Sequence, residues 1–155
     1  MITRKSKGFT IIELLVVVAI IAVLASIVLI NVNAIRNKAS DAKTKAQMSA
    51  LRAAAATYYD SNSNNYGPAT AAAANCTTGG MGSDTASGFA SLVAGASYSD
   101  AVAPTCTTDA TISNVATRWS ASHTLKASAN HFCVDSTGAA KEQAAAAPAA
   151  GAPCP

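Results

Sequence analysis

Charge is scarce in this chain. Among 155 residues there are 11 Lys and Arg and 8 Asp and Glu. Arg4, Lys5 and Lys7 precede Gly8, and the remainder carries 8 positive against 8 negative side chains. That balance excludes a nucleic-acid binder with a large basic face. Aromatics are also few: one Trp, four Tyr and three Phe. A soluble part so composed builds only a small core. The sequence has no Cys-x-x-Cys, no clustered metal ligands and no nucleophile elbow. His123 and His131 stand eight apart and read as ordinary imidazoles, not a zinc site. Gly79-Gly80 has neither a following Lys-Ser/Thr nor a preceding strand, so it is no phosphate loop. No catalytic residue, metal or cofactor is assigned, and an enzyme is not expected.

What the chain does have is apolar. Half its residues are hydrophobic, which excludes full disorder. Residues 14–30 read LLVVVAIIAVLASIVLI, and the run from Phe9 to Ile30 holds a single charge, Glu13. A helix over residues 9–30 extends ~33 Å, enough to cross a bilayer. Leaving each large side chain in water costs ~1.5–3 kcal/mol. The sum exceeds the ~5–15 kcal/mol stability of a whole domain. The segment therefore belongs in lipid or inside a protein assembly. A secretory signal peptide shares the basic start but has a shorter apolar stretch and a cleavage site after it. A plain membrane anchor also fits, and the flanking cations (Arg36, Lys38, Lys43 and Lys45 beyond the run) do not settle its orientation.

The junction discriminates between them. Lys7-Gly8-Phe9-Thr10-Ile11-Ile12-Glu13-Leu14-Leu15-Val16-Val17 places a Gly between basic leader and apolar run, and a lone acid five positions later. This string resembles the N-terminal signature of type IV pilins and pseudopilins. The resemblance implies cleavage between Gly8 and Phe9 by a prepilin peptidase and methylation of the new N-terminus, Phe9. The apolar segment then stays on the mature chain. An acid in a membrane costs ~2.5–3.5 kcal/mol at mid-bilayer, less near an end, and needs a partner. For Glu13 the resemblance supplies one: in a staggered bundle of identical helices, the Phe9 amine of one subunit meets Glu13 of its neighbour. The bland alternative is that Glu13 snorkels to the interface.

Beyond Ile30 the pattern turns amphipathic. One stripe runs Val28, Val32, Ile35, Ala39, Ala42, Ala46, and a second runs Met48, Leu51, Ala55, Tyr58. No Pro or Gly occurs from Phe9 to Tyr66, and Asn, Ser, Gly and Pro cluster over residues 60–68. These features predict one helix of ~50 residues, from near Phe9 to near Tyr59, whose second half is lidded by the remaining chain. Where many pilins carry a Gly midway along the apolar segment and a Pro near its end, this chain has Ala22 and Ile30. A continuous helix is expected, and a melted segment in an assembled form is not carried over.

Residues 69–111 are rich in Ala, Ser, Thr and Gly and read mainly as loop, with a short helix around 87–94. Alternation at Val115, Thr117 and Trp119, and at Phe132 and Val134, predicts strands, and Asp135-Ser136-Thr137-Gly138 predicts a turn. The expected fold is α+β: a long N-terminal helix packed against a small antiparallel sheet. The expected segments are leader 1–8, hydrophobic helix 9–30, amphipathic continuation 31–60 and head 61–155. Cys76, Cys106, Cys133 and Cys154 make two disulfides in an exported, loop-rich head, with three connectivities possible. Cys76–Cys106 and Cys133–Cys154 are favoured: the second ties a weak tail to a strand, and pilins often close this region with a disulfide. Asp84, Asp100 and Asp109 are spaced unlike a compact calcium loop and read as loop acids. Asn75-Cys76-Thr77 is a formal glycosylation sequon.

The resemblance implies a structural subunit of a type IV pilus, held in the inner membrane with its head outside and then assembled into a surface filament. Its expected partners are copies of itself, the prepilin peptidase, an inner-membrane assembly platform and the membrane. Nucleic acid is a partner only through the assembled pilus. The alternatives are a pseudopilin of a secretion or competence system and, in another class, a signal-anchored binding domain or enzyme.

Overall fold

The computed structural model describes residues 8–67, 80–109, 116–144 and 152–155. The basic leader, Cys76, the sequon, Gly79, Val115 and most of the Ala/Pro-rich tail lie outside them. One helix, α1, runs Ile11–Ser61 without interruption. A five-residue helix, α2, follows at Phe89–Val93, flanked by short 3-10 turns. Four strands complete the chain: β1 (Thr105–Thr108), β2 (Trp119–Thr124), β3 (His131–Asp135) and β4 (Ala140–Gln143). They form one antiparallel meander in the order β1-β2-β3-β4. The chain divides into two compact units, Met1–Arg36 and Asn37–Pro155. Residues 37–61 of α1 thus belong with the head.

The end of α1 follows from its residues. Asn62 donates its side-chain amide to the Tyr58 carbonyl at 2.9 Å, and the Asn64 N–H donates to the Tyr59 carbonyl at 3.1 Å. Asn64 takes a left-handed φ of +58°, a conformation Asn tolerates better than most residues.

Met48, Leu51, Ala54, Ala55 and Tyr58 of α1 are buried in one core cluster with Phe89, Val93, Tyr98 and the inner face of the sheet. Register defines that face: Cys106 pairs with Ala121 and Ala121 with Val134, while His123 pairs with Phe132. Trp119 is the largest buried side chain, with Phe89 edge-on at 5.8 Å and Tyr66 at 6.4 Å. One indole in contact with two rings goes far in a head with so few aromatics.

Two expectations need correction. First, the remaining chain lids only the second helical stripe. Ala39, Ala42 and Ala46 are exposed, and Ile35 is 64% exposed. The head settles on the longer side chains of Met48, Leu51 and Tyr58, which bury more apolar area than alanines do. Second, β1 lies within the stretch read as loop. Thr105-Cys106-Thr107-Thr108 has no large strand former to announce it. Its pairing with β2 is a tertiary choice that local pattern does not encode. The alternation expected to begin before Trp119 also starts later, since Thr117 and Arg118 precede β2.

Carboxylates pin the head together. Asp41, on α1 and buried, accepts N–H bonds from Lys126 (2.7 Å) and Ala127 (2.9 Å) in the β2–β3 turn. Lys45 reaches Glu142 of β4 at 2.8 Å. Glu142 also accepts bonds from Ser128 and Asn130, and these three donors, Lys45 foremost, hold its pKa down to about 2. Replacing Asp41 by Ala leaves two turn N–H groups without their acceptor and is expected to cost ~1–3 kcal/mol. A fall in the thermal midpoint of the detergent-solubilised chain checks this. Glu142 is lowered in the folded state, so its contribution is complete above its ordinary value of 4.5 and is lost as pH falls from there toward about 2. An acid melting series should show that loss, and Glu142→Gln should flatten its part of it.

Candidate assembly site

The N-terminal residues form a closed hydrogen-bond ring at the start of α1. Thr10 stands just before the helix and Glu13 three positions on. The Thr10 N–H and hydroxyl donate to Glu13 Oε2 at 2.9 and 2.8 Å, and the Glu13 N–H donates to Thr10 Oγ1 at 3.3 Å. This is a capping box: two helix-start N–H groups are satisfied reciprocally. Sequence reasoning gave Thr10 no role, although Thr-x-x-Glu ahead of an apolar run is the signal for one. The box holds the Glu13 carboxylate against the Thr10 amide, one residue from the Gly8–Phe9 bond.

Beyond the box lies an apolar surface that the described residues leave exposed. Each large hydrophobic residue from Phe9 to Val28 is between 48% and 86% exposed. Ser26, the polar member of the run, donates its hydroxyl to the Val23 carbonyl at 2.7 Å and so leaves no free donor. The helix contains a stretch long and apolar enough to cross a membrane.

In the head, the sheet face opposite the core is polar and buried. Thr107, Ser120, Ser122 and Asp135 point to it by register, and the Thr107 and Ser120 hydroxyls lie 2.9 Å apart. Cys133, on the same face, is joined to Cys154 by a disulfide with Cα atoms 5.9 Å apart. The Cys154 N–H donates to Asp135 Oδ2 at 2.7 Å, while Oδ1 accepts from Thr137 and Ala139 in the β3–β4 turn. Burial pushes the Asp135 carboxyl up. The donors, Cys154 first, outweigh it and hold the pKa below the ordinary carboxylate range. Gly138 closes the same turn at φ +102°, where a side chain is strained. Cys106 is also disulfide-bonded, and Cys76, expected as its partner, lies outside the described residues.

The loop acids each accept backbone N–H bonds. Asp84 accepts N–H bonds from Ala86 and Ser87, Asp100 from Val102, and Asp109 from Thr117 and Arg118. Among the described residues, no three His, Cys, Asp or Glu gather to hold a metal ion. The ring nitrogens of His123 lie 2.8 and 3.0 Å from the carbonyl oxygens of Thr124 and Val102, while His131 stands 3.4 Å from the Thr124 hydroxyl.

The prokaryotic N-terminal methylation motif matches residues 3–29. The chain carries that motif at its N-terminus. It is also similar to the type IV wide pilus major component PilA4 of Thermus thermophilus, 55% identical over 38 residues. That match covers 24% of this chain and 29% of the relative. The chain thus spans under a third of the relative's length. No solved structure matches. A long N-terminal helix followed by a four-stranded antiparallel sheet is consistent with the α+β pilin fold. Pilins are structural subunits, not enzymes.

Reduction of the Cys133–Cys154 bond tests how the tail is held. Cys154→Ser should lower stability by ~2–4 kcal/mol, since the bond closes a 21-residue separation. Amide exchange in β3 measures it, and unchanged protection would show that the tail adds nothing to the sheet.

Proposed function

We propose that this chain is a structural subunit of a type IV pilus, made as a precursor, cut after Gly8 and assembled through α1 into a surface filament. The observation that carries the reading is an intact helix whose first half leaves its large apolar side chains bare, headed by the methylation motif. Such a surface is satisfied by lipid before assembly and by other copies of the helix afterwards. The length of the apolar stretch supports a single inner-membrane span, with the head outside.

Cleavage frees a positive amine on Phe9, the residue before the cap. The Glu13 carboxylate already lies 2.9 Å from the next nitrogen along, that of Thr10. An opposite charge close by favours both ionised groups in an apolar setting. On this reading, the amine of one copy and Glu13 of its neighbour remove each other's desolvation cost and set axial register. Thr10 presents the carboxylate. The partners are further copies, the prepilin peptidase and an inner-membrane platform. The four cysteines and long head favour a pilus over a competence pseudopilus.

Intact mass and N-terminal sequencing of the mature protein should give a chain beginning at methylated Phe9. An N-terminus near residue 26 would instead mark a secreted domain and end the pilin reading. Glu13→Ala should leave the protein in the membrane and remove it from sheared surface fibres. Normal fibres from that variant would defeat the charge pairing.

A further inference from the structure

Among the described residues of the head, Asp60 and Arg52 are opposite charges that no ion pair engages. The chain has eight acids. Seven accept hydrogen bonds within the molecule: Glu13 from Thr10, Asp41 from Lys126 and Ala127, Asp84 from Ser87, Asp100 from Val102, Asp109 from Thr117, Asp135 from Cys154, and Glu142 from Lys45. Asp60 is exposed, and among the described residues it makes no hydrogen bond or ion pair. It also stands where an acid is least welcome. It is the second-last residue of α1, at the negative end of the helix dipole, and no base occupies that last turn.

Arg52 is the complementary case. Its side chain is only partly exposed and lines a cavity of about 160 Å³ with Tyr66, Trp119, Ser136 and Asp135. Its guanidinium packs against the Gly138 turn, 3.3 Å from where a Cβ would stand. Among the described residues no acceptor takes its N–H groups. Asp135 lines the same cavity but makes no ion pair with Arg52. Arg36, Lys38, Lys43 and Lys141 are more exposed than Arg52. A half-buried guanidinium presents a planar fork of donors shaped for a carboxylate.

Arg52 and its own Asp60 are eight residues apart on one helix, ~12 Å along its axis, which is beyond a Debye length. A second copy lying parallel and offset by about that distance brings its Asp60 level with this Arg52. We propose that Arg52 of one subunit pairs with Asp60 of the next, a second charge lock that sets the register of the heads. This rests on the filament reading above.

The test uses the full chain in a host that assembles it, with fibre yield after shearing and membrane level by immunoblot read separately. Arg52→Asp and Asp60→Arg alone should each lower fibre yield about tenfold, the factor that ~1.4 kcal/mol sets, without lowering membrane level. Combined in one chain, the two reversals should restore the yield. A second measurement avoids charge reversal: Arg52→Cys with Asp60→Cys, treated in intact fibres with a flexible bifunctional maleimide that spans an Arg–Asp pair, should give a ladder of covalent oligomers, and either single cysteine should not. Single reversals that assemble normally, or a doubly reversed chain that is membrane-inserted yet unrestored, would overturn the pair. So would the absence of a ladder in fibres carrying both cysteines. Each of these leaves the pilin reading standing. A wild-type chain that never enters fibres overturns both.

Discussion

Everything about this molecule follows from apolar surface that its own chain does not cover. Phe9 and residues 11–28 of α1 keep their large side chains exposed, and the head, with eight aromatic residues in the whole sequence, has no spare apolar area to fold over them. A soluble life for the chain is closed by magnitude alone. At ~25 cal/mol per Å² of apolar surface, the exposed run outweighs any stability a head of this size can supply. The run must therefore find an apolar solvent, and the two on offer are lipid and further copies of the same helix.

The head solves a different problem, how to hold a small domain together with little hydrophobic driving force. Its core is one indole, two rings packed against it, and the Met48–Tyr58 side of α1. Around that core the connections are polar and specific. Asp41 ties the helix to the β2–β3 turn, Glu142 ties β4 to Lys45, and Asp135 ties the last turn to the chain's end. Each carboxylate accepts several donors at once, which makes its bonds charge-assisted and offsets its desolvation. The Cys133–Cys154 disulfide then fixes the tail beside Asp135, so the polar face of the sheet is closed by a covalent bond and a carboxylate together.

How much of this was legible depended on whether a local pattern carried it. The helix was, because a span free of Gly and Pro with apolar periodicity leaves no other conformation; Ile11–Ser61 falls within two residues of the expected bounds at each end. Trp119, Phe132, Val134 and the turn at Asp135–Gly138 were legible from alternation and turn residues. β1 was not, because Thr105–Thr108 owes its strand conformation to β2 and to no pattern of its own. Which helical stripe the head would cover was not legible either. Periodicity reports that Ala39, Ala42 and Ala46 share a face, but both stripes pass that test. Only packing decides that the head takes the one bearing Met48, Leu51 and Tyr58. At the N-terminus, Glu13 drew notice as a lone acid in grease, whereas Thr10 is an ordinary polar residue whose part emerges only when its hydroxyl is found on the Glu13 amide and carboxylate.

Moving a helix from lipid into a bundle of helices changes its hydrophobic free energy little, since both surroundings are apolar. Grease therefore keeps the subunit out of water but cannot choose the register at which one helix meets another. Alanine can do no better: the exposed Ala39, Ala42, Ala46, Ala50 and Ala53 allow close approach along the helix without marking any one offset as best. Register has to come from groups that are few, directional and costly to leave unpaired. The chain is poor in these, which sharpens their effect. With 19 charged residues in 155, and all but one of the acids engaged internally, a wrong offset has few accidental pairings to settle into. On the filament reading, scarcity of charge, the first thing the sequence displays, thus becomes a means of specificity: a slippery apolar contact is made single-valued by the small number of charges that must meet.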